Sequence, residues 1–182
     1  MILLFVGLAL TVLMVYITRQ LQAGLSPQRF RQIMGLLIPA YLLVNWAFTL
    51  FTRTQGEYPV VFVPFRAYMK ALGWDIRTFS SLMQLLSGEA EASSGLNFEP
   101  LVGVAQNIVL FLPFGFLLSG AYEHISVTKI LAFGFLLTLF IEVSQLVFRL
   151  GWFEVDDMTH NVFGTYAGIC LYRRSVGRKT LL

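Results

Sequence analysis

Apolar positions along the chain gather into five runs, residues 1–17, 33–52, 101–122, 130–148 and 158–172, divided by three short polar segments and one long one, 53–100. Apolar runs of about this length predict membrane-crossing helices, because a bilayer takes roughly 17–25 residues of helix and lipid offers the backbone no hydrogen-bond partner outside a helix or a closed barrel. The pattern predicts an all-α integral membrane protein of about five transmembrane helices in a single membrane domain, 1–182, with one long extracytoplasmic loop. The first run carries no charged side chain, and its first arginine, Arg19, follows the apolar core. That order fits a retained span, since a cleaved signal peptide places its basic residues first.

Inside the long segment, Phe65, Tyr68, Met69, Leu72, Ile76, Phe79, Leu82 and Met83 recur at helical spacing over 65–86. They suit either an amphipathic helix lying on the membrane surface or a short helix packed on the spans. Small and acidic residues over 87–95 (SGEAEASSG) read as a flexible linker. The third run contains Asn107, Pro113 and Gly115. A proline there frees the carbonyl of Val109 and bends the axis, and a glycine beside the bend lets a neighbour approach. Gly164 and Gly168 in the fifth run form a small-xxx-small pair that permits close helix packing.

Composition supports this class: 57% of the 182 residues are hydrophobic, 15% aromatic and only 13% charged. The net charge of +3 is spread between apolar runs instead of forming one patch, which excludes a nucleic-acid partner. The lone cysteine, Cys170, excludes an intrachain disulfide. With the amino terminus outside and the tail inside, the inner segments hold eight basic residues and one acid, and the outer ones five basic and eight acidic residues. Basic residues concentrate on cytoplasmic segments, so this orientation is the expected one.

Candidate chemistry centres on 141–161, where Glu142 and Gln145 interrupt one apolar run and Asp157 and Asn161 open another. A carboxylate at the bilayer centre costs roughly 2.5–3.5 kcal/mol on insertion scales, so such groups face a partner or a water-filled cavity. In the expected orientation Asn107, Asn161, Glu142 and Gln145 lie roughly 5–10 Å below the outer ends of their helices. Glu142, Gln145 and Arg149 follow i, i+3, i+7, and Asp157, Asn161, Gly164 and Gly168 follow i, i+4, i+7, i+11, so each set shares a helix face. The set expected to bind a ligand in one outward-opening cavity is Asn107, Glu142, Gln145, Arg149, Asp156, Asp157 and Asn161, with Arg149 as the nearest cation for Glu142. Asn107 and Gln145 are equally suited to interhelical hydrogen bonds, and Asp156 or Asp157 to capping the fifth helix. Acid-base work, if any, falls to Glu142 and Asp157. His160 lies beside these acids, but no metal-ligand spacing such as HExxH surrounds it, and neither a metal nor a cofactor is expected.

These residues lie in segments that resemble a known family. QNIVLFLPFGFLLSG (106–120), IEVSQLVF (141–148) and FEVDDMTHNVFGTYAGICLY (153–172), in that order, resemble the VanZ-like family, and VFVPFRAY (61–68) is similar to the short extracytoplasmic segment that family carries. The resemblance covers about 46–172, and the family pattern falls on Asn107, Pro113, Gly115, Glu142, Gln145, Asp157, Asn161, Gly164 and Gly168. It implies a protein of the bacterial cytoplasmic membrane that confers low-level resistance to teicoplanin or related lipoglycopeptides, drugs that bind the D-alanyl ends of peptidoglycan precursors outside the membrane. Three classes of function stay open: a non-catalytic protein binding a lipid-linked wall precursor or the drug, an intramembrane enzyme acting on a cell-envelope substrate, and a small transporter or accessory subunit. The partners expected are membrane lipid and one of those envelope ligands.

Overall fold

The structure, a computed structural model, describes residues 2–51, 55–56, 60–74, 76, 78–88 and 96–176. Its elements are α1 (Ile2–Gly24), α2 (Pro27–Phe51), β1 (Val60–Val61), α3 (Arg66–Ala71), α4 (Phe79–Leu86), α5 (Glu99–Ala121), α6 (Val127–Val147), β2 (Phe153–Glu154) and α7 (Val155–Val176). Among the described residues, four helices are long and apolar enough to cross a membrane: Leu4–Gly24, Pro27–Leu50, Glu99–Ala121 and Val127–Val147. α7 matches them in length, roughly 33 Å at 1.5 Å per residue, but its polar residues lower its hydropathy. Asp156, His160, Asn161 and Thr165 among them are buried inside the bundle instead of facing outward.

The helices outrun the apolar runs because their caps lie further out. α1 continues to Gly24, and α2 starts at Pro27, a first-turn proline whose missing N–H costs nothing there. Ser26 accepts from the Arg29 N–H at 3.4 Å, and Ser126 from the Lys129 N–H at 3.3 Å, so each serine caps a helix start. Arg29 and Arg31 therefore sit on the first turns of α2 and not in a loop.

α5 is the axis of the bundle. α7 runs parallel to it at backbone contact: a side chain at Gly164 would fall on the Ile108 carbonyl oxygen, one at Gly168 on that of Leu112, and one at Gly115 on that of Thr165. α1 is also parallel, with Gly7 beside Val109. α2 is antiparallel, Tyr41 stacking on Phe114 while Met34 reaches Gly120. α6 is antiparallel to α7, since Gly134 faces Thr165 and Thr138 faces Asn161. Pro113 lies inside α5 as expected, and next to the carbonyl it frees, the Leu110 carbonyl accepts from the Tyr41 hydroxyl at 2.8 Å.

This arrangement makes the two ends of the bundle unlike. The apolar core, with Phe30, Met34, Phe116 and Leu117 in one cluster and Phe114, Leu118, Ile130 and Ile169 in another, fills the half nearer the α1–α2 turn. In the other half its place is taken by Asn45, Thr49, Thr138, Glu142, Gln145, Asn161 and Thr165, all buried. Large apolar side chains such as Phe5, Leu10, Leu36, Leu43, Leu136 and Phe140 face outward along α1, α2 and α6. Lipid tails are as apolar as these side chains, so helix association rests on close packing and interhelical hydrogen bonds, which the glycines and the polar half supply.

The long segment departs from a single helix over 65–86. It holds two short helices, α3 and α4, separated by Gly73 at φ 94°. Thr78 starts α4 with a capping box, accepting from the Ser81 N–H at 3.2 Å while the Ser81 hydroxyl accepts from the Thr78 N–H. Of the predicted linker 87–95, only Ser87 and Gly88 fall among the described residues.

Candidate functional site

The polar half begins at the end of α6. That helix stops at Val147, and Arg149 takes the left-handed conformation at φ 54°. The Leu150 N–H returns to the Gln145 carbonyl at 2.8 Å and the Arg149 N–H to that of Leu146 at 3.2 Å, the hydrogen-bond pattern of a Schellman cap. A non-glycine residue in this conformation costs about 1 kcal/mol. In return the chain folds back over the helix end, which brings the Glu154 N–H to the buried Glu142 carboxylate at 3.1 Å.

Glu154 then ties in the long segment. β2 pairs with β1 in parallel, Val60 opposite Phe153 and Val61 opposite Glu154. The Glu154 carboxylate forms an ion pair with Arg66 of α3, whose guanidinium lies 4.6 Å from the Trp152 ring centroid. Asp156 holds the same helix from below. Its two oxygens accept from the Phe65 N–H at 2.7 Å and the Ala67 N–H at 3.2 Å. Phe65 at the start of α3 has φ 62° and no cap of its own, so the carboxylate from α7 serves as the cap and fixes a strained residue. One turn further along α7, the His160 ring Nε2 lies 3.1 Å from the Tyr68 hydroxyl.

Below this clamp the helices are joined by amides and hydroxyls. Asn161 donates to the Thr138 hydroxyl at 2.7 Å, and Thr165 donates to the Asn161 carbonyl at 3.0 Å. Gln145 donates to the Thr49 carbonyl at 3.4 Å, and Asn45 donates to the Tyr41 hydroxyl at 2.6 Å. Gln145 Oε1, Asn161 Oδ1 and His160 Nδ1 are buried without a hydrogen-bond partner among the described residues. Each therefore keeps hydrogen-bonding capacity in the layer, which buried polar atoms rarely leave unused.

The structure thus gathers Glu142, Gln145, Asp156 and Asn161 into one polar half, all buried. Asp157 is half-buried on the first turn of α7, where its charge suits the helix dipole. Asp156 and Asp157 both lie inside α7, which starts at Val155, so neither is its N-cap. Asn107 is half-buried on α5 and makes no side-chain hydrogen bond among the described residues. Arg149 is exposed and in no ion pair among the described residues, because the helix ends before it and the i+7 position no longer lies over Glu142. Instead it borders a shallow depression with Gln55, Gly56 and Phe148. A half-open cavity of about 310 Å³ lies at the opposite end, lined by none of the seven expected residues.

Sequence reasoning did not single out Arg66, Glu154, Trp152, Tyr68, His160 or Thr138 for this site. Arg66 and Glu154 stand 88 positions apart and meet only through the fold. Thr138 and Thr165 are single hydroxyls in apolar runs and carry no local signal. His160 had one, a titratable ring one helical turn from two acids, but was weighed only as a metal ligand.

Against known proteins, a family model described as VanZ/LLP1 matches residues 1–177. Protein VanZ of Enterococcus faecium is 32% identical over 76 residues, a stretch that covers 42% of this chain and 45% of that protein. The match therefore spans under half the length of that relative. No solved structure matches the chain.

Proposed function

The chain belongs to the VanZ/LLP1 family, and on that footing we propose that it is a VanZ-like protein of the bacterial cytoplasmic membrane that lowers susceptibility to teicoplanin and related lipoglycopeptides by binding a lipid-linked wall precursor or the drug itself. The observation that carries this reading is the pairing of two features at one end of the bundle. A buried polar layer pins residues 60–71, and above it Phe62, Phe65, Phe79, Leu86 and Phe98 are exposed. A rigid apolar surface over polar groups suits an amphiphile whose tail lies on the aromatics and whose head meets hydrogen-bonding groups. Phe62 is 70% exposed and its ring lies 6.0 Å from that of Phe153, so Phe62→Ser removes one ring contact and leaves the helix packing intact. Cells carrying the chain are expected to tolerate more teicoplanin than cells without it, and Phe62→Ser at matched membrane levels is expected to lose most of that difference. Equal susceptibility with and without the chain would remove the reading.

An enzyme reading of the same end has a different candidate from the one expected on sequence. Of the expected pair, Glu142 accepts a backbone N–H and so holds structure, and Asp157 stands half-buried on the first turn of α7. The Tyr68–His160 pair, with one imidazole nitrogen unengaged, is better placed to exchange a proton.

In the orientation we propose, the ends of α1, α5 and α7 that carry the clamp lie outside and the α1–α2 turn lies in the cytoplasm. Arg29, Arg31, Lys129, Arg173 and Arg174 all fall at that turn's end of the bundle. In a Cys170→Ala background, a cysteine at Ser87 is expected to react with a membrane-impermeant thiol reagent on intact cells, and one at Gln28 only after permeabilisation. The reverse pattern would invert the orientation.

A further inference from the structure

The cavity at the basic end belongs to none of the polar machinery above, and its lining has two chemistries. Phe30, Ile130 and Tyr172 form an apolar floor, while Arg31 and Arg173 stand at its edge. Phe30 and Ile130 are buried, and Tyr172 is fixed by packing edge-on against Phe116 at 5.3 Å between centroids. Gly120 lets this floor pack closely: a side chain there would stand 2.5 Å from Met34 Cε and 3.1 Å from Tyr172 Cε2.

The charges at this end are lopsided. Arg19, Arg29, Arg31, Lys129, Arg173 and Arg174 face a single described acid, Glu123. Glu123 pairs with Arg31, but both side chains are over a third exposed, at 39% and 37%, so water screens the pair and a stronger anion can displace the carboxylate. Arg173 has no ion-pair partner among the described residues. Arginine takes phosphate oxygens in a two-pronged geometry, and a phosphate reaching both Arg31 and Arg173 meets two guanidinium groups at once. At about 310 Å³ the cavity stands at the lower limit of ligand pockets, enough for a headgroup and the first part of a chain.

We propose that this cavity binds the phosphate headgroup of an anionic membrane lipid, with Arg173 and Arg31 on the phosphate and the start of an acyl chain on Phe30, Ile130 and Tyr172. Basic pockets between helix ends at the positive face of a membrane protein are suited to such headgroups. A free phosphate would meet the arginines but leave the apolar floor uncovered. The site lies at the opposite end from the surface proposed to take the envelope ligand and stands independently of it.

The test is native mass spectrometry of the purified full chain titrated with phosphatidylglycerol, with phosphatidylcholine and with inorganic phosphate. Phosphatidylglycerol is expected to be retained as a one-to-one complex, with phosphatidylcholine weaker. Arg173→Gln, an exposed position that leaves folding alone, is expected to weaken retention by at least about fivefold, the factor for losing one arginine near an anionic surface. Arg29→Gln is the control, because that exposed arginine shares the end but does not line the cavity. Equal losses in the two variants would reduce the effect to diffuse surface charge and overturn the site. Equal retention of phosphatidylcholine, or full displacement of the lipid by inorganic phosphate, would also overturn it.

Discussion

Gly168→Val is expected to deplete the membrane of folded protein, while Gly103→Ala on the adjoining helix leaves the amount unchanged. The two differ in what a new side chain meets. At Gly168 the first atom it reaches is the Leu112 carbonyl oxygen, with the Phe116 N–H side of the same backbone 2.9 Å away. Backbone cannot rotate out of the way, so α7 must move off α5 along its length, and Gly164 and Gly115 lose their contacts with it. Overpacking in a close-packed interior typically costs 1–3 kcal/mol, and a whole-helix displacement puts this substitution at the upper end, at least about 3 kcal/mol. Gly103 has nothing within 4 Å, so alanine there adds only helix propensity, worth up to about 1 kcal/mol. Membrane levels and detergent melting temperatures of the two variants measure this directly. Normal levels and melting for Gly168→Val would mean that the backbones of α5 and α7 are not in contact.

The second large effect is expected from Asp156→Ala, which frees the outer segment without unfolding the bundle. The carboxylate accepts two N–H groups at the start of α3, a helix of six residues that has no cap of its own and begins at a residue in the left-handed conformation. Losing an acceptor from a partly buried group costs about 1–3 kcal/mol, more than so short a helix contributes by itself. Amide hydrogen exchange over 65–71 is expected to rise by one to two orders of magnitude, about what that free energy implies, while α5 and α6 stay protected. Asp156→Asn keeps one acceptor oxygen and is expected to fall between. Unchanged exchange in Asp156→Ala would show that Arg66 and the two-stranded sheet hold the segment alone.

What was legible in the sequence follows from how local its cause is. The apolar runs located α1, α2, α5 and α6, because span length is set by lipid and not by neighbours. Glu142, Gln145 and Asn161 were legible as buried groups because a polar residue in such a run has to be turned inward. Gly164, Gly168 and Gly115 were legible as packing positions, although nothing local told that all three serve one parallel helix pair. Arg149 was misplaced for a definable reason. The i+7 extrapolation needed α6 to continue, and the Schellman cap that stops it uses arginine where glycine is the usual signal. The apolar period across 65–86 hid the break at Gly73 and the Thr78–Ser81 box, both of which are written in the residues. The Arg66–Glu154 pair and the cap that Asp156 gives α3 connect distant segments and exist only once the chain is folded.

In the proposed function Glu142 and the polar layer around it hold a recognition surface in place, and Glu142 itself performs no chemistry. Glu142→Gln tests it most directly, since an amide oxygen can still accept the Glu154 N–H but an amide cannot shuttle a proton. The measurement is teicoplanin susceptibility of cells carrying Glu142→Gln at membrane levels matched to the unaltered chain, with mass analysis of their wall precursors. Retention of most of the resistance with unaltered precursors is the predicted result. Susceptibility equal to that of cells without the protein, together with precursor chemistry that changes only when Glu142 is present, would contradict it.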